Sequence, residues 1–75
     1  MITDLNHILI FKTNIQTECD RQHLQNRLDT NDHILQWNID LQDVDRVLRI
    51  ISKTLTPQQI ISIINHNGFE CAELE

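Results

Sequence analysis

Glycine and proline are scarce in this chain of 75 residues, which contains one of each. Without stretches rich in these residues, the chain has no segment typical of a flexible linker. The length suits one domain, so we expect a single domain over residues 1–75. No apolar run approaches the roughly 20 residues that a helix needs to cross a bilayer, which predicts that the chain does not enter a membrane.

Basic residues are also few, since six lysines and arginines stand against eleven aspartates and glutamates, for a formal net charge of −5. Nucleic-acid binding needs a basic surface, so this charge argues against DNA or RNA as a partner. The two cysteines are too few for a disulfide framework, and we expect free thiols in a reducing compartment. The N-terminus lacks the basic region and cleavage site of a signal peptide, which predicts a cytoplasmic location.

Apolar periodicity and capping signals predict six elements along the chain. Thr17 and Thr56 stand where helix N-caps are expected, and each is followed three residues later by a capping-box residue, Asp20 or Gln59. Gly68 supplies the left-handed stop of the second helix. The predicted elements are a strand over 6–13, a helix from 17 into the polar stretch 29–32, strands over 34–41 and 46–52, a helix between 56 and 68, and a strand over 69–74.

This β-α-β-β-α-β order predicts the α+β, ferredoxin-like sandwich, in which a four-stranded antiparallel sheet carries two helices on one face. Alternation in the first strand places Leu9 and Phe11 under the helices. In the third strand it places Leu48 and Ile50 on the same inward side. The second strand alternates as well, and its buried face is predicted to hold Leu35, Trp37, Ile39 and Leu41. The other sheet face is then open, and four branched residues of the central strands are expected to cluster on it: Ile8, Ile10, Val47 and Ile51. Exposed apolar clusters mark contact surfaces, so this face is a candidate site for a protein partner or a homodimer.

Four segments of the chain carry a resemblance to a known family. They are residues 11–15 before the first loop, 37–41 in the second strand, 45–50 in the third strand, and 60–69 at the end of the last helix. In their order and spacing they resemble the heavy-metal-associated domain of small bacterial copper chaperones. That family carries Cys-x-x-Cys after its first strand, and the matching positions here are Thr17 and Asp20. The resemblance therefore implies the chaperone fold without the metal-binding cysteine pair.

The two replacements remove the copper chemistry that the family implies. Copper(I) prefers soft thiolate ligands, whereas Thr17 offers a hydroxyl and Asp20 a hard carboxylate. Both residues have a structural use in closing the N-terminus of the first helix. We therefore expect no bound metal or other cofactor, and predict a degenerate heavy-metal-associated domain that acts as a small protein-interaction module.

A rearranged metal site is the alternative hypothesis. Cys19 and His23 are four residues apart, which places them on one helix face, and Asp20 is adjacent to Cys19. This set predicts a weak copper or zinc site and a role in metal trafficking. Cys19, in the first helical turn, is also a candidate redox-active thiolate. Its pairing with Cys71 is compatible with the topology but requires Cα atoms within about 7 Å.

The sequence contains no constellation that predicts catalysis. The RNA-binding version of this fold stacks bases on aromatic residues of its central strands, and residues 46–52 contain none. The acylphosphatase version needs a phosphate-binding loop with an arginine after the first strand, and residues 14–16 contain neither glycine nor a base. With no nucleophile–base pair in view, the protein is not predicted to be an enzyme.

Overall fold

The computed structural model of the protein describes residues 8–74, which form the predicted β-α-β-β-α-β order. The elements are β1 (Ile8–Thr13), α1 (Glu18–Asp29), β2 (Gln36–Asp40), β3 (Val47–Ile51), α2 (Pro57–His66) and β4 (Cys71–Glu73). The predicted start of the first strand at residues 6–7 lies outside the described range. Within that range, no helix is both long enough and apolar enough to cross a membrane.

The strands form an antiparallel sheet in the order β2-β3-β1-β4. β1 is central, because Phe11 lies opposite Leu48 of β3 on one side and opposite Glu73 of β4 on the other. β2 and β4 are the edge strands. This arrangement confirms the ferredoxin-like α+β fold that the order of elements predicts.

The core lies between the sheet and the two helices. Its fully buried large side chains are all apolar: Phe11, Ile15, Leu24, Leu28, Leu48, Ile50, Ile60 and Ile64. Phe11 and the pair Leu48 and Ile50 confirm the predicted inward faces of β1 and β3. Leu9 and Trp37 are partly buried and pack against this cluster from the sheet. The amphipathic patterns of the sequence therefore identify the faces that meet in the core.

The closure of α2 also follows its sequence signals. The Thr56 hydroxyl accepts a hydrogen bond from the Gln59 N–H at 3.2 Å, which begins the helix. At the other end Gly68 has a φ of 90°, a conformation that favours glycine. The Phe69 N–H then donates to the Ile64 carbonyl at 3.3 Å, which completes a Schellman-type end.

Leu35 departs from the prediction, because it does not join the buried face of the second strand. Its side chain is 60% exposed, and β2 begins only at Gln36. The Leu35 N–H donates to the Ile51 carbonyl at 2.8 Å, although the strand ladder places Gln36 opposite Ile51. The chain is thus irregular where it enters β2, and the alternation of Trp37 and Ile39 does not extend back to Leu35.

Candidate functional site

The loop between β1 and α1 holds Thr17 and Asp20, the two positions that the resemblance matches to the family's cysteines. Thr17 is the N-cap of α1, and its Oγ1 accepts a hydrogen bond from the Asp20 N–H at 3.1 Å. The Asp20 Oδ2 in turn accepts from the N–H groups of Gln16 at 3.1 Å and Thr17 at 3.3 Å. This capping box confirms the prediction, and it satisfies N–H groups that a helix start would otherwise leave without partners.

The donor atoms of this loop do not fit copper(I). Thr17 and Asp20 both bind backbone N–H groups, and neither carries sulfur, whereas copper(I) selects thiolate ligands. Across residues 8–74, no three His, Cys, Asp or Glu side chains lie close enough together to hold a metal ion. The loop therefore has a structural cap at the two positions that the resemblance matches to the family's ligands.

Arg46 supports the same loop from the β2–β3 turn. Its Nη1 donates to the carbonyl oxygens of Leu41 at 2.6 Å and Gln16 at 3.3 Å, and its own carbonyl accepts from Thr13 Oγ1 at 2.7 Å. The Arg46 backbone has a φ of 47°, which is uncommon for a residue other than glycine. The sequence gives no signal for this role, because the pattern only places Arg46 at the start of the third strand.

Cys19 and His23, the residues of the alternative metal site, lie in the first half of α1, and both are exposed. The His23 and Phe69 rings meet at an interplanar angle of 68°, with their centroids 6.2 Å apart. Asp20 is occupied by the capping box, so the structure does not bring it into a ligand set with Cys19. Metal binding by Cys19 with His23 remains a prediction.

Cys71 lies at the start of β4, opposite Thr13 of β1. It is half-buried, and this burial raises the pKa of its thiol to about 11. A thiol with so high a pKa stays protonated at neutral pH and is a poor nucleophile. Cys19 and Cys71 are both free, so the described part of the chain does not contain the disulfide that the topology permits.

The open sheet face carries an apolar patch that extends from β3 across β1 to the end of β4. Ile10 is 40% exposed, and the half-buried Ile8 and Ile51 lie opposite each other. Leu74 extends the patch, since its N–H donates to the Ile10 carbonyl at 3.0 Å and its side chain is 36% exposed. We call Ile8, Ile10, Ile51 and Leu74 the open-face patch. Sequence reasoning missed Leu74, because only the register of β4 against β1 places it there.

Val47 was predicted to belong to this exposed cluster, and that prediction is wrong. Its side chain is 4% exposed. Val47 lies on the central strand β3, with Asp40 of β2 directly opposite on one side. On the other side, Phe11 pairs with Leu48, so the next residue of β1, Lys12, lies opposite Val47. Val47 is thus flanked by side chains of two paired strands, and a residue on the open face need not be accessible.

The comparisons with known proteins bear on the fold. No protein-family model matches the chain, and no curated protein matches its sequence. Among solved structures, a CsoZ metallochaperone matches with a TM-score of 0.74 and 22% sequence identity, over 88% of this chain and 96% of that chain. At this identity the likeness shows the fold alone, which is the α+β arrangement described above.

Proposed function

We propose that this protein is a binding module with a metallochaperone fold that acts through contact with another protein and does not load metal at its β1–α1 loop. The capping box of Thr17 and Asp20 is the observation that carries the proposal. The two side chains that stand in place of the thiolates each bind backbone N–H groups at the start of α1. The loop is thus stabilised by protein hydrogen bonds where the resembled family relies on thiols.

The open-face patch is the surface that best suits a protein partner. Ile10 and Leu74 present adjacent exposed apolar side chains, and exposed apolar surface of this kind is typical of interaction sites. Two exposed basic residues share the face. Arg49 lies directly opposite Ile10, and Lys12 is two residues after Ile10 on β1, so its side chain points to the same side. The partner we expect therefore has an apolar contact region with acidic neighbours.

Copper(I) titration against a competing chelator tests the metal half of the proposal. The expected result is that the native protein does not compete for the ion and that Cys19→Ser behaves in the same way. Tight one-to-one binding that disappears in Cys19→Ser would contradict the proposal. The titration is done under reducing conditions, because oxidised Cys19 offers no thiolate.

Metal trafficking through a rearranged site is the second candidate function. Cys19 is exposed in the first turn of α1, four residues before the exposed His23, and the fold likeness is to a metallochaperone. Two ligands make a weak site, so a further ligand would come from the molecule that delivers or receives the ion. His23→Ala separates the candidates, because it weakens copper or zinc binding only if His23 is a ligand.

A further inference from the structure

A groove of about 610 Å³ runs along the outer edge of β2, outside the loop and the open-face patch. Its walls are residues of α1 and β2: Glu18, Arg21, Gln25, Asp29, Trp37, Asn38 and Ile39. Consecutive strand residues point to opposite sheet faces, so a groove that touches Trp37, Asn38 and Ile39 together follows the strand edge itself. The α1 residues are spaced by three or four positions and therefore share one helix face.

Within the described residues 8–74, the edge formed by β2 has no proline, lysine or bulge to protect it against pairing. β2 reads Gln-Trp-Asn-Ile-Asp and lies at the end of the sheet, with β3 on its inner side. Edge strands are commonly shielded by proline, lysine or a bulge. Residues 36–40 contain no proline and no lysine, and the paired register with β3 runs without interruption through all five of them.

From this edge we infer that a second copy of the chain binds at β2, through antiparallel pairing of the two β2 strands about Asn38. The strand is self-complementary around this residue. Antiparallel pairing places Trp37 opposite the second copy's Ile39, and cross-strand pairs of aromatic and β-branched residues are favourable. It places Gln36 opposite the second copy's Asp40, where an amide can donate to a carboxylate. No two like charges lie opposite each other.

The groove face of α1 is self-complementary in the same symmetry. α1 runs antiparallel to β2, because Asp29 at the helix C-terminus binds Trp37 near the start of the strand. A twofold axis through Asn38 therefore brings the C-terminal half of α1 towards the N-terminal half of its copy. Arg21 then faces the second copy's Asp29, and Gln25, midway between them in sequence, faces its own counterpart.

The atoms needed for these two ion pairs are available. Arg21 binds Glu18 Oε2 through Nε at 2.8 Å, which leaves its two terminal guanidinium nitrogens for another carboxylate. Asp29 accepts from Trp37 through Oδ1, which leaves Oδ2. Both reciprocal pairs flank the paired strands and can form without breaking a contact seen within the subunit.

Disulfide trapping tests the register as well as the contact. In a Cys19→Ser background, Asn38→Cys places two thiols on the twofold axis, where directly opposite residues have Cα atoms about 4.5–5.5 Å apart, within the range for a disulfide. Gln36→Cys is the matched control on the same strand and the same face. In the same pairing, position 36 lies opposite position 40 of the second copy. The two introduced thiols are therefore four residues apart along the strands, or about 13 Å. We expect a reducible covalent dimer from Asn38→Cys and little from Gln36→Cys.

A charge variant tests the same contact without a cross-link. Asn38→Asp puts two carboxylates opposite each other on the axis, while within the subunit it keeps an acceptor for Arg49, whose Nη1 lies 3.4 Å from Asn38 Oδ1. Gln58→Glu adds the same charge on the exposed start of α2 and is the control. In sedimentation equilibrium we expect Asn38→Asp to weaken dimerisation several-fold and Gln58→Glu to leave it unchanged.

Two results would overturn the inference: a native protein that stays monomeric into the millimolar range, or equal cross-linking at positions 36 and 38. The inference does not depend on the proposed function, because the two concern different surfaces. Ile10 of the open-face patch lies on β1, two strands away from the β2 edge, so Ile10→Thr leaves that edge intact. A dimer that is lost in Ile10→Thr but kept in Asn38→Asp would assign self-association to the open face and contradict pairing at β2.

Discussion

The indole Nε1 of Trp37 donates a hydrogen bond to Oδ1 of Asp29 at 2.7 Å, which fixes the last residue of α1 to the edge strand β2. A partly buried indole N–H needs an acceptor, and a carboxylate makes the bond charge-assisted. The contact ties the C-terminal end of α1 to the start of β2. It also defines one end of the groove along the strand edge.

Replacing the acceptor should destabilise this junction. We expect Asp29→Ala to lower the free energy of unfolding by about 1 kcal/mol, the typical net value of one hydrogen bond, and Asp29→Asn to cost less because it keeps an acceptor. Urea unfolding followed by the fluorescence of Trp37 measures both, at protein concentrations low enough to avoid self-association. Equal losses in the two variants would contradict a hydrogen-bonding role and point to the charge.

The cap of α1 gives a second stability prediction. Thr17→Ala removes the Oγ1 that accepts from the Asp20 N–H, and loss of a threonine cap costs about 0.5–2 kcal/mol. Thr17→Ser keeps a hydroxyl and should cost only a small part of that amount. Thermal unfolding by circular dichroism compares the three proteins. An unchanged melting temperature in Thr17→Ala would show that the cap does not stabilise the helix.

Features that depend on neighbouring residues were predictable from the sequence. The capping boxes, the Gly68–Phe69 closure of α2 and the inward position of Phe11 each follow from a few consecutive side chains and from the period of the element. The same local reasoning placed Thr17 and Asp20 at the start of α1, where the structure has them. The start of α1 and its cap were therefore predictable from the sequence.

Features that depend on register between distant strands were not predictable. The burial of Val47, the position of Leu74 beside Ile10 and the contact of Arg46 with Gln16 all require residues that are far apart in sequence to be aligned. Composition and periodicity fix which face a residue occupies but not what covers it on that face. For this reason the open-face patch could be located only approximately before the strand register was known.

The two thiols should differ in their pH dependence. Because burial raises the pKa of Cys71 to about 11, its labelling by a thiol reagent should be slow at neutral pH and rise only as the pH approaches 11, while the exposed Cys19 reacts readily. The folded state holds the Cys71 proton more tightly than the unfolded state. Stability from this group is therefore full below the ordinary thiol pKa of 9.0 and is lost as the pH rises towards 11.

Labelling followed by mass spectrometry on Cys19→Ser and Cys71→Ser proteins measures each thiol alone. The alkaline loss of stability should be smaller in Cys71→Ser, because serine does not titrate in this range. Rapid labelling of Cys71 at neutral pH in the folded protein would contradict the prediction.

The two faces of β1 should respond differently to substitution. Ile10→Thr changes a side chain that is 40% exposed and should alter the free energy of unfolding by no more than about 0.5 kcal/mol. Phe11→Ala empties a fully buried position and should cost about 3–5 kcal/mol, enough to unfold a domain of this size. If the open-face patch binds a partner, Ile10→Thr also loses that binding while its circular dichroism spectrum is unchanged.

Denaturant unfolding and a binding assay on the same samples separate these effects. A tolerant Phe11 with a critical Ile10 would mean that β1 is oriented the other way. A stable Ile10→Thr protein with unchanged partner binding would leave the fold standing and remove the open-face patch as the contact site.

Restoring the cysteine pair should restore copper(I) binding at the loop. Thr17→Cys with Asp20→Cys rebuilds Cys-x-x-Cys at the start of α1, where the helix dipole favours anionic sulfur and two thiolates can share the ion. The gain in affinity over the native protein should persist when Cys19→Ser is added, because Cys19 lies outside the rebuilt pair. The double variant loses the capping box, so its folding is first checked by circular dichroism. A folded double variant that still fails to compete with a chelator for copper(I) would show that the loop does not correspond to the metal loop of the heavy-metal-associated family.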